Sequence, residues 1–143
     1  RFRPKTRERI ERILDEVGLS DKGDEIASNL PVLDRKRLMF ASALSSEPKL
    51  LLLDEPVGGL NPKEMESMIS LVSAVTKQGI TVILIEHVMR FMVQLATRIL
   101  IMHHGEEIFV GSPKDLPQDK KVAEVYLGEA ATKGLAKFLE SRA

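Results

Sequence analysis

No cysteine occurs among the 143 residues. That excludes a disulfide framework and any thiolate metal or redox site. Neither sign of charge is in excess: 21 basic and 21 acidic residues leave a formal net charge of zero. The chain therefore makes no broad field for gripping nucleic acid or an anionic membrane. Long apolar runs are missing too. A spanning helix needs roughly 18 apolar residues, and the best candidates, Lys49–Leu53 and Ile80–Ile85, are strand-sized and end in acids. The opening Arg1-Phe2-Arg3-Pro4-Lys5 lacks the apolar stretch of a secretory signal. It also lacks an initiator Met, so the expectation is a piece of a longer cytosolic chain.

What remains is enough for one compact domain with a core. Residues 6–17 read as an amphipathic helix, with Ile10, Ile13, Leu14 and Val17 on one face and Gly18 at its C-cap. Residues 19–30 are polar and mixed. A second helix is expected over 31–45, with Pro31 as a first-turn residue. Near residue 46 the pattern changes. Leu50–Leu53 is a continuous apolar run between Pro48 and Pro56, which suits a parallel strand buried on both faces. A helix over 63–77 follows, then strand Ile80–Ile85 and a short helix over 88–96. Two more strands, Ile99–Met102 and Ile108–Val110, flank a turn at Gly105. Short helices are expected around 112–116 and 119–127, and a last one around Leu135, Phe138 and Leu139. This alternation predicts an α/β fold with a mainly parallel sheet.

Asp54 and Glu55 stand directly after four leucines. In open α/β folds, ligands bind at the carboxyl ends of the strands. A carboxylate there can hold Mg²⁺ beside a nucleotide, and its neighbour can orient and deprotonate a water. The two acids alone fit a capping or turn role equally well. The turn Gly58-Gly59-Leu60-Asn61-Pro62 leads into the next helix, with Asn61 near its N-cap. His87 follows the second strand, and a parallel arrangement would bring it to the same edge as Glu55. Taken alone it reads as a cap or surface histidine. His103 and His104 read as surface turn residues, because no third metal ligand accompanies them.

Together these segments resemble the ATP-binding-cassette ATPases, over about residues 28–128. The resemblance implies the C-terminal part of a P-loop NTPase fold. Residues 1–46 would end a helical subdomain, 47–128 would form part of the α/β ATPase core, and 129–143 a helical tail. It makes Asp54 the Mg²⁺ ligand that ends the Walker B strand, Glu55 the catalytic carboxylate, and His87 the switch histidine that senses the γ-phosphate. Gly59, Leu60 and Asn61 correspond to the D-loop, which crosses to a partner subunit. Within the family, Gly59-Leu60-Asn61-Pro62, Ile85–Arg90 and Val125–Glu129 are most similar to the ATPase subunits of branched-chain amino-acid importers. The lipopolysaccharide-export ATPase shares the Tyr126–Glu129 ending.

Two departures stand out. No Gly-x-x-x-x-Gly-Lys-Ser/Thr loop is present, and no glycine precedes a lysine anywhere. The backbone cradle and lysine that grip phosphates are therefore not in these residues, and the chain alone is expected to be inactive. The family signature falls on Leu30-Pro31-Val32-Leu33-Asp34, with Leu33 where the family has glycine and Asp34 where it has glutamine. Leucine adds bulk and aspartate adds repulsion against a γ-phosphate, so the nucleotide site that uses this element is expected to be impaired. Thr97 stands where the subgroup has an acid, and no function attaches to it.

The resemblance implies an ATP- and Mg²⁺-dependent subunit at the inner face of the cell membrane. Its partners would be a second ATPase subunit, identical or related, and transmembrane permease subunits, with no nucleic acid. A competing reading is a non-catalytic half-cassette that dimerises or docks. A soluble relative working on ribosomes or DNA would need long insertions or a basic surface, and the chain has neither.

Overall fold

The computed structural model describes residues 4–141. The first and last expected segments, 1–46 and 129–143, therefore run partly outside the described residues. Two compact units form, one reaching to Glu86 and one starting at His87.

In the first unit, α1 (Pro4–Glu16) buries Ile13. It stops at Gly18, whose φ of +74° is unfavourable for a residue with a Cβ. The amides of Gly18 and Leu19 close the end on the carbonyls of Asp15 and Leu14, at 2.9 and 2.7 Å. The mixed stretch after it holds two 3-10 turns, Ser20–Lys22 and Ala27–Asn29. Helix α2 (Val32–Leu44) starts one residue later than its proline suggested. Pro31 is the N-cap, with an extended ψ of 161°.

Strand β1 (Leu50–Asp54) pairs in parallel with β2 (Thr81–Ile85), and α3 (Pro62–Lys77) makes the crossover between them. Helix α3 buries Met68, Leu71, Val72 and Val75 at the spacing of one helical face. The register sets Leu50 beside Thr81, Leu52 beside Ile83 and Asp54 beside Ile85. Side chains alternate along a strand, so these six share one face of the sheet. That face is open: Leu50, Leu52, Ile83 and Ile85 are 49%, 67%, 51% and 64% exposed. The expectation that β1 is buried on both faces is corrected here. Leu51 is buried on the inner face, while among the described residues no element packs over the outer face of this two-stranded sheet.

The second unit begins with α4 (Met89–Leu95) and an antiparallel hairpin, β3 (Ile99–His103) and β4 (Glu106–Gly111). The hairpin turns at His104 and Gly105, both at positive φ. Ile108 falls in a bulge, since Ile101 pairs with Phe109 and Met102 with Glu107. The helix expected over 112–116 is not formed. Pro113 and Pro117 remove two backbone donors, and the Ser112 amide bonds to the Asp115 carboxylate at 3.0 Å instead. Helical bonding starts with a 3-10 turn at Leu116–Gln118. The segment expected over 119–127 is a short α-turn, α5 (Lys120–Val122), running into a π-helical stretch, Ala123–Leu127. Helix α6 (Gly128–Glu140) follows. Val93, Ile99, Ile101, Phe109, Leu116, Val122 and Leu135 form this unit's core.

Candidate functional site at the end of the first strand

The geometry starts from the pairing of β1 with β2. Asp54 is the last residue in register, and the Glu55 amide extends the ladder by one bond to the Ile85 carbonyl, at 2.9 Å. The backbone then turns sharply. Glu55 takes a φ of +45°, a left-handed conformation that costs a residue with a Cβ roughly 1 kcal/mol. Such strain persists where the surroundings over-determine it, and three bonds do so here. The Glu55 carbonyl accepts from the Gly58 amide at 3.2 Å and from the Lys36 ammonium at 3.2 Å. The Glu86 carboxylate accepts from the Val57 amide at 3.2 Å. Pro56 and Val57 are buried beneath the turn, while Asp54 and Glu55 stay exposed at the strand end.

The loop continues into α3 through a second turn, closed by the Leu60 amide on the Val57 carbonyl at 3.1 Å. Gly59, at φ +78°, makes the reversal. Asn61 is the N-cap. Its Oδ1 accepts from the amides of Lys63 and Glu64, both at 3.0 Å, and the Glu64 carboxylate accepts from the Asn61 amide at 2.8 Å. This capping box satisfies three of the free amides at the start of the helix. Gly59, Leu60 and Asn61 thus stand on a loop hydrogen-bonded at both ends.

The segment Leu30–Asp34 enters α2. Leu30 is buried, Pro31 and Val32 are exposed, and Leu33 is half-buried. Asp34 does not face outward. It is 7% exposed, and its carboxylate accepts from the Lys22 ammonium and from Arg37, the latter at 3.4 Å. Arg37 also donates to the Ser67 hydroxyl on α3 at 2.6 Å. The hydrogen bond to Asp34 raises the Lys22 pKa above its ordinary 10.5. The repulsive charge expected at Asp34 is therefore compensated inside the unit by two cations.

One end of β1 thus gathers Asp54, Glu55, the loop through Asn61 and the start of α2. His87 is the exposed first residue of the second unit, two positions after β2 ends. Sequence reasoning missed Lys22, Lys36, Arg37, Ser67 and Glu86 as parts of this arrangement. Glu86 alone carried a usable signal. It follows a strand in register with β1, which sets it beside the turn after Asp54.

Chemically, the exposed Asp54 offers one carboxylate at a sheet edge. Among the described residues no cluster of three or more His, Asp or Glu is placed to hold a metal by itself. One or two carboxylates at a strand end fit Mg²⁺, which keeps several waters and binds through one or two carboxylates plus phosphate oxygens. They do not fit a metal held entirely by protein. Nothing in these residues forms a glycine-rich phosphate cradle.

Comparison with known proteins bears on the family and the fold. The family model described as ABC transporter matches residues 3–58. The chain is 35% identical over 118 residues to the high-affinity branched-chain amino acid transport ATP-binding protein LivG of Salmonella typhimurium, covering 82% of this chain and 46% of that one. It is 33% identical over 133 residues to BraF of Pseudomonas aeruginosa, which carries the same description, covering 90% and 52%. Among solved structures it matches the ADP conformation of an ATP-binding cassette of an ABC transporter, with a TM-score of 0.81 and 28% identity. That match covers 90% of this chain and 52% of the other. The chain spans about half the length of the curated relatives it matches.

Proposed function

The chain belongs to the ATP-binding-cassette ATPases, and from that membership we propose that it is the hydrolytic half of a transporter's ATP-binding subunit. In this reading the subunit powers amino-acid import, as the descriptions of LivG and BraF suggest. Asp54 holds Mg²⁺, which when bound neutralises charge on the phosphates. Glu55 orients and deprotonates the attacking water, and His87 hydrogen-bonds the γ-phosphate. Gly59, Leu60 and Asn61 reach a second ATPase subunit, whose nucleotide site Leu30–Asp34 completes poorly. The phosphate cradle comes from residues this chain does not contain.

The observation that carries the reading is the Glu55 turn. A non-glycine residue is held in a left-handed conformation directly after the strand-end Asp54, by bonds to its own carbonyl and amide. Strain of this kind concentrates where a side chain must be aimed. Among the described residues no helix is long and apolar enough to cross a membrane. In this reading the subunit sits at the inner face by docking to permease subunits.

Glu55→Gln in the full-length subunit, assembled with its partner, tests the proposal. Steady-state ATP turnover is expected to fall at least about a hundredfold, the usual contribution of a general base. Turnover within twofold of the parent would overturn it. A second reading, a non-catalytic docking module, is favoured by the altered signature, with Leu33 where the family has glycine. The same assay separates the two, because a docking module shows no Glu55-dependent turnover.

A further inference from the structure

We propose that Lys36 is a positioning residue for Glu55, so that the altered signature helix serves its own chain's catalytic turn. The proposal rests on the reading of Glu55 given above.

Three side chains near the start of α2 reach three different elements. Asp34 takes the ammonium of Lys22 from the connector after α1, and Arg37 reaches Ser67 on α3. Lys36 donates to the backbone carbonyl of Glu55 at 3.2 Å. The first two contacts fix where α2 starts relative to the rest of the unit. The third then brings a positive charge to the one carbonyl that also closes the turn through the Gly58 amide. The Glu55 amide is already committed to Ile85. Lys36 therefore supplies a bond on the acceptor side of a left-handed residue, beside that of the Gly58 amide.

The chemistry favours lysine here. An ammonium on a flexible stem reaches a carbonyl as a point charge, and a charge-assisted bond is stronger than a neutral one. Lys36 is half-buried, while the bond it makes to the Glu55 carbonyl lies at an exposed position. A carboxylate that must aim at a water depends on its backbone dihedrals, and small misplacement is costly in rate. Movement of α2 would reach Glu55 through this contact.

The test uses the full-length subunit with its partner. Lys36→Met removes the donor and keeps an unbranched apolar stem. We expect kcat to fall roughly three- to tenfold with KM unchanged, the pattern of a lost transition-state interaction. Amide exchange over residues 54–59 should speed up, while α3 should keep its protection. Lys36→Arg should recover at least half of the lost kcat. Unchanged exchange over 54–59 in Lys36→Met overturns the proposal, and so does an unchanged kcat in a protein that Glu55→Gln inactivates. A raised KM at constant kcat also overturns it, by making Lys36 a nucleotide contact. If Glu55→Gln leaves turnover intact, the reading of Glu55 is what fails, and the exchange measurement alone still decides whether Lys36 holds the turn.

Discussion

Replacing Asp34 by alanine should destabilise the chain although the residue lies in a nucleotide-facing motif by resemblance. The Asp34 side chain is 9% exposed and Arg37's is 23% exposed. Removing one partner of a buried pair costs about 3–5 kcal/mol when the other is stranded without solvent. Arg37 is not fully stranded here. It keeps the Ser67 hydroxyl at 2.6 Å, and a quarter of its side chain reaches water. That discounts the loss to about 2 kcal/mol. For a chain of this length, that is a fall in melting temperature of about 6 °C. The raised pKa of Lys22 adds a pH signature. Its folded value lies above the unfolded one, so its stabilising contribution is whole below the ordinary 10.5 and is lost as pH rises through the folded value. Urea unfolding followed by circular dichroism at pH 7 and above pH 10.5 measures both effects. The gap between parent and Asp34→Ala should narrow at the higher pH. A variant within about 0.5 kcal/mol of the parent at pH 7, the usual range of surface substitutions, would refute the network as a source of stability.

Asn61→Ala should cost about 1 kcal/mol in the same unfolding experiment, because the two amides that Asn61 caps lose their acceptor. Asn61→Asp should be neutral or slightly stabilising, since a carboxylate caps as well and suits a helix N-terminus. On the open sheet face, Leu52→Lys with Ile83→Lys should lower binding of an apolar dye to the 143-residue chain and raise its solubility. Both side chains are more than half exposed, so stability should change by less than about 1 kcal/mol. Leu33→Gly with Asp34→Gln in the full-length dimer should raise ATP turnover if the altered signature limits it. The same pair should lower the melting temperature, because glutamine cannot replace the charge facing Lys22 and Arg37.

The elements near the site were legible because their signals were local and redundant. The run Leu50–Leu53 between prolines, the i, i+3, i+4 spacing from Met65 to Val75 and the glycine after it fixed the β1–α3–β2 order. Asn61 before Pro62, with Glu64 three positions after the cap, is a helix-start pattern that can be read without a structure. The burial of β1 was misjudged for a physical reason. Apolar composition says that a strand suits cover on two faces, but it does not say that both covers lie within the chain. Asp34 was misjudged because direction is not periodic. Its partner Lys22 sits twelve residues away in an irregular stretch with no repeat to reveal which polar groups turn inward. The Lys36 contact was invisible in the same way, since it joins a helix side chain to a backbone carbonyl nineteen positions later. The π-helical stretch over Ala123–Leu127 bonds i to i+5 where an α-helix bonds i to i+4, a difference that apolar spacing over so short a stretch does not resolve.

The role proposed for Glu55, held in its left-handed turn after Asp54, is hydrolysis and not nucleotide binding. It is tested most directly by the nucleotide found on the full-length Glu55→Gln subunit after incubation with ATP and Mg²⁺. Intact ATP should be retained at the site, with ADP accumulating at least about a hundredfold more slowly than on the parent. ADP appearing at the parent rate would contradict it.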